Sequence, residues 1–138
     1  MQSHWCVNQN TYDAVQDTMP LIAKFNSQDG TNKLEKTPAD KIVKKIFPDV
    51  YKVPLFRRQF CKMLVDEIKH MQFQPNDTED ELRQIPEIIL HEKIPELHRN
   101  MWFIVQTVLN PIFFTLWQRH CANIGSIQIA NYNLKDKK

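Results

Sequence analysis

From Asn100 to Gln118, in NMWFIVQTVLNPIFFTLWQ, the chain carries no charge. A run of that length must be covered by lipid or by the protein's own core. Its polar residues decide between the two. Gln106, Thr107, Asn110, Pro111 and Thr115 interrupt it, and a lone membrane span would have to satisfy two Asn, two Gln and a central Pro in hydrocarbon. The run therefore reads as a pair of buried core helices. The first starts at Pro95 and ends near Leu109; the second takes Asn110 as N-cap and Pro111 as its first residue, and reaches about Ala122. A single kinked helix is the alternative.

The 138 residues amount to one domain at most, or to part of a larger one. With 42% hydrophobic and 25% charged residues the composition is globular. A net charge of +2 speaks neither for nucleic acid nor for an anionic membrane. Lys33, Lys36, Lys41, Lys44 and Lys45 cluster, as do Lys135, Lys137 and Lys138, without interleaved aromatics, and read as solvated faces. Cys6, Cys61 and Cys121 are odd in number and widely spaced, which argues against a disulfide framework. MQSHWCVNQN has neither the basic nor the apolar region of a signal peptide, so an intracellular chain is the default expectation.

The first thirty residues are weakly patterned, with a short helix in TYDAVQDTMPLIAKF that Pro20 would break, then a turn in NSQDGTNK. TPADKIVKKIF has a strong helix start: Thr37 as N-cap, Pro38 next, and Asp40 closing a capping box. Ile42, Val43 and Ile46 would form its apolar face, and Pro48 and Asp49 would stop it. VYKVPL follows at strand period, with Tyr51, Val53 and Leu55 on one side and Pro54 limiting it to an edge or an end. A helix from about Arg57 to Met71 carries the stripe Phe60, Leu64, Ile68 and Met71. NDTEDELRQ reads as an acidic surface loop or one helical turn, IPEIIL as a strand, and SIQIANYNL as a strand with Ile127 and Ile129 on one face and Ala130 and Tyr132 on the other. Three strands, the last close to KDKK, look like a sheet cut short.

Chemical motifs are sparse. HEKIP at His91 lacks the second histidine of a zinc-protease motif, and Pro95 stands in its place and separates His91 from His98. His70 reads as a helix C-terminal residue. Two glycines are too few for a phosphate-cradling loop. Cys61 reads as a packed helix residue, and Asp77, Glu79, Asp80 and Glu81 as a solvated run. Trp102, Phe103, Phe113, Phe114 and Trp117 form an aromatic set whose default is core packing.

One stretch carries a family resemblance. PDVYKVPLFRRQFCKMLVDEIKH, with Pro48, Asp49, Val50, Tyr51, Pro54, Leu55, Cys61, Leu64, Val65, Glu67 and His70, resembles the opening of the oxygenase domain in procollagen lysyl hydroxylases. Those enzymes belong with the prolyl 4-hydroxylase type of Fe(II)- and 2-oxoglutarate-dependent dioxygenases. IPEIILHEK, the spacing of Trp102 and Pro111, and SIQIANYNLKDKK extend the resemblance over about 46–138. It implies a double-stranded β-helix, or jelly-roll, that uses Fe(II), 2-oxoglutarate and ascorbate to hydroxylate a C–H bond. The family's His-x-Asp, distal His and 2-oxoglutarate clamp come after the strand that ends this sequence, and no HxD or HxE occurs here, so no catalytic residue or metal ligand is carried over. Tyr132 alone is transferred, as a contact to the 2-oxoglutarate carboxylate, beside the plain reading of a core tyrosine. Asn133 stands where relatives often have Pro.

The expectation is an α+β chain: a weakly patterned segment 1–36, then 37–138 as the N-terminal supporting part of a truncated jelly-roll dioxygenase domain, inactive alone. The alternative is a small non-catalytic helical interaction module derived from that scaffold. The partners expected are a protein or small-molecule substrate and a missing C-terminal segment or partner chain, with no membrane span and no nucleic acid.

Overall fold

The computed structural model describes residues 4–27, 34, 36–73 and 85–132. These form six helices and four short strands: α1 (Gln9–Asn26), α2 (Pro38–Ile42), β1 (Lys44–Phe47), β2 (Val50–Lys52), α3 (Arg58–Ile68), β3 (Glu87–Ile89), α4 (Leu90–Lys93), α5 (Pro95–Ile104), α6 (Asn110–Trp117) and β4 (Gln128–Ala130). The class is α+β. β1 pairs with β2 and β3 with β4, both antiparallel, and no closed barrel is present among the described residues. The acidic stretch around residues 76–84, most of the turn at 26–33, and everything after Tyr132 lie outside the described residues.

The N-terminal segment is more ordered than its pattern predicts. Asn8 caps α1 by accepting from the Thr11 amide at 3.1 Å. The helix then runs through Pro20. Gln16, whose carbonyl would have received the missing N–H, and Pro20 are both exposed, so water can serve that carbonyl. The segment 53–57 that follows β2 clamps the start of α1. Val7 bridges Phe56, the Thr11 hydroxyl donates to the Pro54 carbonyl at 2.6 Å, and Arg57 Nε donates to the Val7 carbonyl at 2.8 Å. One cluster of buried residues joins Cys6, Val7 and Val15 to Ala39, Phe60, Ile104, Val108 and Ile112. The core thus draws on both sides of the 36/37 boundary.

The capping box at Thr37 and Asp40 forms, but the helix it starts ends at Ile42 rather than near Phe47. Lys44–Phe47 is the first arm of a hairpin. Pro48 and Asp49 are its turn, with Asp49 at φ 60°, a backbone state that Asp tolerates better than most residues. A turn pair between two β-branched, aromatic runs outcompetes one more helical turn, and Ile46 is 60% exposed instead of facing the core. Tyr51, Val53 and Leu55 are half-buried while Lys52 and Pro54 are exposed, so the alternation holds although β2 stops at Lys52. In α3, Phe60 is buried and Leu64 and Ile68 are half-buried, as the stripe requires.

The uncharged run is a single helix, not a pair. α5 passes into α6 through a π-helical turn, Val105–Leu109, in which the Asn110 amide reaches the Val105 carbonyl. Pro111 explains the wider turn: in a regular helix its ring would collide with the carbonyl four residues back. Ile104, Val108 and Ile112 then fall on one buried line. Asn110 has helical dihedrals and is no N-cap. The helix stops at Trp117, where Gln118 turns left-handed at φ 54°, short of Ala122. No helix of the described residues is long and apolar enough to cross a membrane.

Candidate functional site

An open groove of about 300 Å³ lies between the β1–β2 hairpin and α6. Val50, Val53 and Tyr51 form one wall, Ile112, Phe113 and Trp117 the other. The wall is aromatic by construction. Trp117 meets the Tyr51 ring edge-on at 5.6 Å and the Phe113 ring at 5.9 Å. The indole N–H of Trp117 donates to Asp49 Oδ1 at 3.3 Å, which ties the hairpin turn to the end of α6. Among the described residues Asp49 is the single carboxylate in the lining, and they place no acid–base pair and no nucleophile beside a base there. Its chemistry is apolar contact framed by one anionic group.

The aromatic set divides on inspection. Phe114 is buried against Phe25 and under a stacked His120, whereas Phe113 and Trp117 face the groove. The sequence pattern missed the role of the hairpin, because Pro48 and Asp49 pass equally well for a helix stop. A turn pair between alternating apolar residues was the signal.

The residues weighed for chemistry form no common site among the described residues. Tyr132 lies just past β4 and is 70% exposed, so it is not a core tyrosine, and it lines neither the groove beside α6 nor the depression at the end of α3. Cys61 is exposed rather than packed. Burial is the main influence on the Cys6 thiol and raises its pKa above the ordinary 9.0, against a smaller lowering by its own backbone hydrogen bond and Arg57. His91 and His98 do come together across the α4–α5 junction, with ring centroids 5.8 Å apart, because Pro95 opens α5 directly after α4 instead of separating them. His98 Nε2 is buried with no hydrogen-bond partner among the described residues, and His91 Nε2 lies 3.9 Å from Glu92 Oε1. Among the described residues no three His, Cys, Asp or Glu side chains are placed to hold a metal ion. The described residues therefore do not fit the two-His, one-carboxylate iron site of the resemblance.

A second shallow depression, about 330 Å³, lies between the end of α3 and Asn131, with Val65, Ile68, Met71 and Phe73 on its floor. Among the described residues of its lining, Lys69 is the one charged group.

No model of a known protein family matches this chain, and no curated protein or solved structure matches it.

Proposed function

We propose that this chain is a binding module that docks through the face shared by the β1–β2 hairpin and α6. The observation behind the reading is a concentration of apolar exposure: Ile46 is 60%, Phe47 68% and Val50 49% exposed, beside the aromatic groove. Apolar side chains scattered singly over a surface are ordinary, but a contiguous set next to a groove marks an interaction site. Lys44, Lys45 and Lys52 flank the set, so the face suits a ligand that is both apolar and anionic.

The anionic apolar dye anilinonaphthalene sulfonate tests this reading. The folded chain should bind it saturably, and Phe47→Ser or Lys45→Glu should weaken binding about tenfold with the thermal midpoint unchanged. Dye binding indifferent to both substitutions sinks the docking reading.

A second reading keeps the resemblance: the chain supports a jelly-roll hydroxylase whose iron site lies in a further segment or a partner chain. The antiparallel β3–β4 pair, ending beside an exposed Tyr132, favours it. It assigns Tyr132 to the 2-oxoglutarate carboxylate. 2-Oxoglutarate should then raise the melting midpoint of the wild type and not of Tyr132→Phe; equal midpoints remove it.

A further inference from the structure

We infer that the partner of the hairpin face is an anionic lipid bilayer, with the hairpin turn dipping into the interface. The inference rests on the docking reading and names its ligand. Residues 41–52 hold four lysines and one acid, in a chain whose whole net charge is only +2. Lys44 stands directly opposite Lys52, and Lys45 opposite Tyr51. Like charges facing each other across a ladder repel. Among the described residues none of Lys41, Lys44, Lys45 or Lys52 has a carboxylate partner. An external anionic surface would relieve that repulsion.

Apart from Asp49 in the turn, whose carboxylate accepts from the Trp117 indole at 3.3 Å, the order of residues along the hairpin matches the order of layers in a bilayer. Phe47 and Val50 pair at the rung next to the turn, with Ile46 bulged beside them. At about 3.4 Å per residue along the unbulged β2, the Lys45–Tyr51 rung stands about 3 Å behind, and the Lys44–Lys52 rung about 7 Å behind. Peripheral elements bury their apolar part about 5–10 Å into the boundary between headgroups and acyl chains. Phe47, Val50 and Ile46 would then reach the acyl region while the lysines meet lipid phosphates. Tyr51 and Trp117, in contact at 5.6 Å, would sit at headgroup level, where amphipathic rings are favoured. Every residue of β1 is exposed, on both faces of the ribbon. A fluid bilayer can cover both faces at once.

Flotation with vesicles tests the inference. The full chain should float with phosphatidylcholine–phosphatidylserine vesicles and not with phosphatidylcholine alone, and raised salt should release it. Lys44→Gln and Lys45→Gln should each cost about fivefold in partitioning. Phe47→Ser should cost about tenfold, with the circular dichroism spectrum unchanged throughout. Flotation that survives Phe47→Ser, or that ignores phosphatidylserine, overturns the inference. So does failure to float when the dye still binds, or when an acidic apolar peptide saturates the face instead; both leave the docking reading standing. A folded chain that binds neither dye nor vesicles overturns both.

Discussion

The side chain of Asn110 closes two hydrogen bonds on the backbone of Cys121: its Nδ2 donates to the carbonyl at 3.1 Å, and its Oδ1 accepts the amide at 2.8 Å. The pair imitates a rung of β-ladder and fastens the segment after α6 back to the π-helical turn. Asn110→Ala removes both bonds and leaves two part-buried backbone groups unpaired, for about 2 kcal/mol. Asn110→Asp keeps the acceptor but sets a carboxylate oxygen against the Cys121 carbonyl, and should cost as much. Urea denaturation midpoints check both; an unchanged midpoint for either variant refutes this account of the junction.

Thr18 joins α1 to α2. Its hydroxyl donates to the Ala14 carbonyl at 2.7 Å and accepts the Ala39 amide at 2.9 Å. Ala39 is the second residue of α2, one of the amides a helix start leaves without an internal partner. Thr18 and Thr37 are fully buried, so water is not an alternative. Thr18→Val keeps the shape and removes the oxygen, and should cost about 1–3 kcal/mol. Thr18→Ser keeps the oxygen and should cost less. A Val variant as stable as the Ser variant would show that the hydroxyl contributes nothing.

The same residues show what sequence reading reaches. The capping box at Thr37 and Asp40 was legible because it is local chemistry at fixed spacing. So was the stripe of α3, and so were β3 and β4, whose apolar runs are bounded by polar residues. The extent of α2 was not, since TPADKIVKKIF suits a helix by period and Lys44–Phe47 becomes a strand only when Val50–Lys52 supplies a partner. Nor was the long α1 foreseen. Its stability comes from tertiary contacts such as Thr11 to Pro54 and Thr18 to Ala39, which have no signature within the segment itself. The groove was half legible: Phe113 and Trp117 stood out, but the hairpin wall did not.

The buried Cys6 thiol gives a pH-dependent prediction. Burial holds its folded pKa above the unfolded value, so its contribution to stability is fully present below the unfolded thiol range and is lost as pH rises through the folded pKa. Stability should therefore fall above about pH 9 more steeply in the wild type than in Cys6→Ala. Alkylation gives the same contrast at neutral pH: exposed Cys61 should react first, and Cys6 only after the chain opens. Rapid labelling of Cys6 in the folded chain, or identical alkaline limbs for wild type and Cys6→Ala, contradicts the burial argument.

Trp117 separates the groove from the hairpin tip as the docking element. Trp117→Phe loses the 3.3 Å bond to Asp49 but keeps an aromatic ring against Tyr51 and Phe113. That bond is exposed, so stability should change by no more than about 0.5 kcal/mol and dye binding by about twofold. Trp117→Ala removes the aromatic wall itself. Losing ring contacts worth about 0.5–1.5 kcal/mol should weaken dye binding about tenfold. The vesicle-bound state depends first on Phe47 and the lysines, so flotation of Trp117→Ala should fall less than that of Phe47→Ser. If Trp117→Ala abolishes flotation while Phe47→Ser leaves it intact, lipid meets the groove and not the hairpin turn.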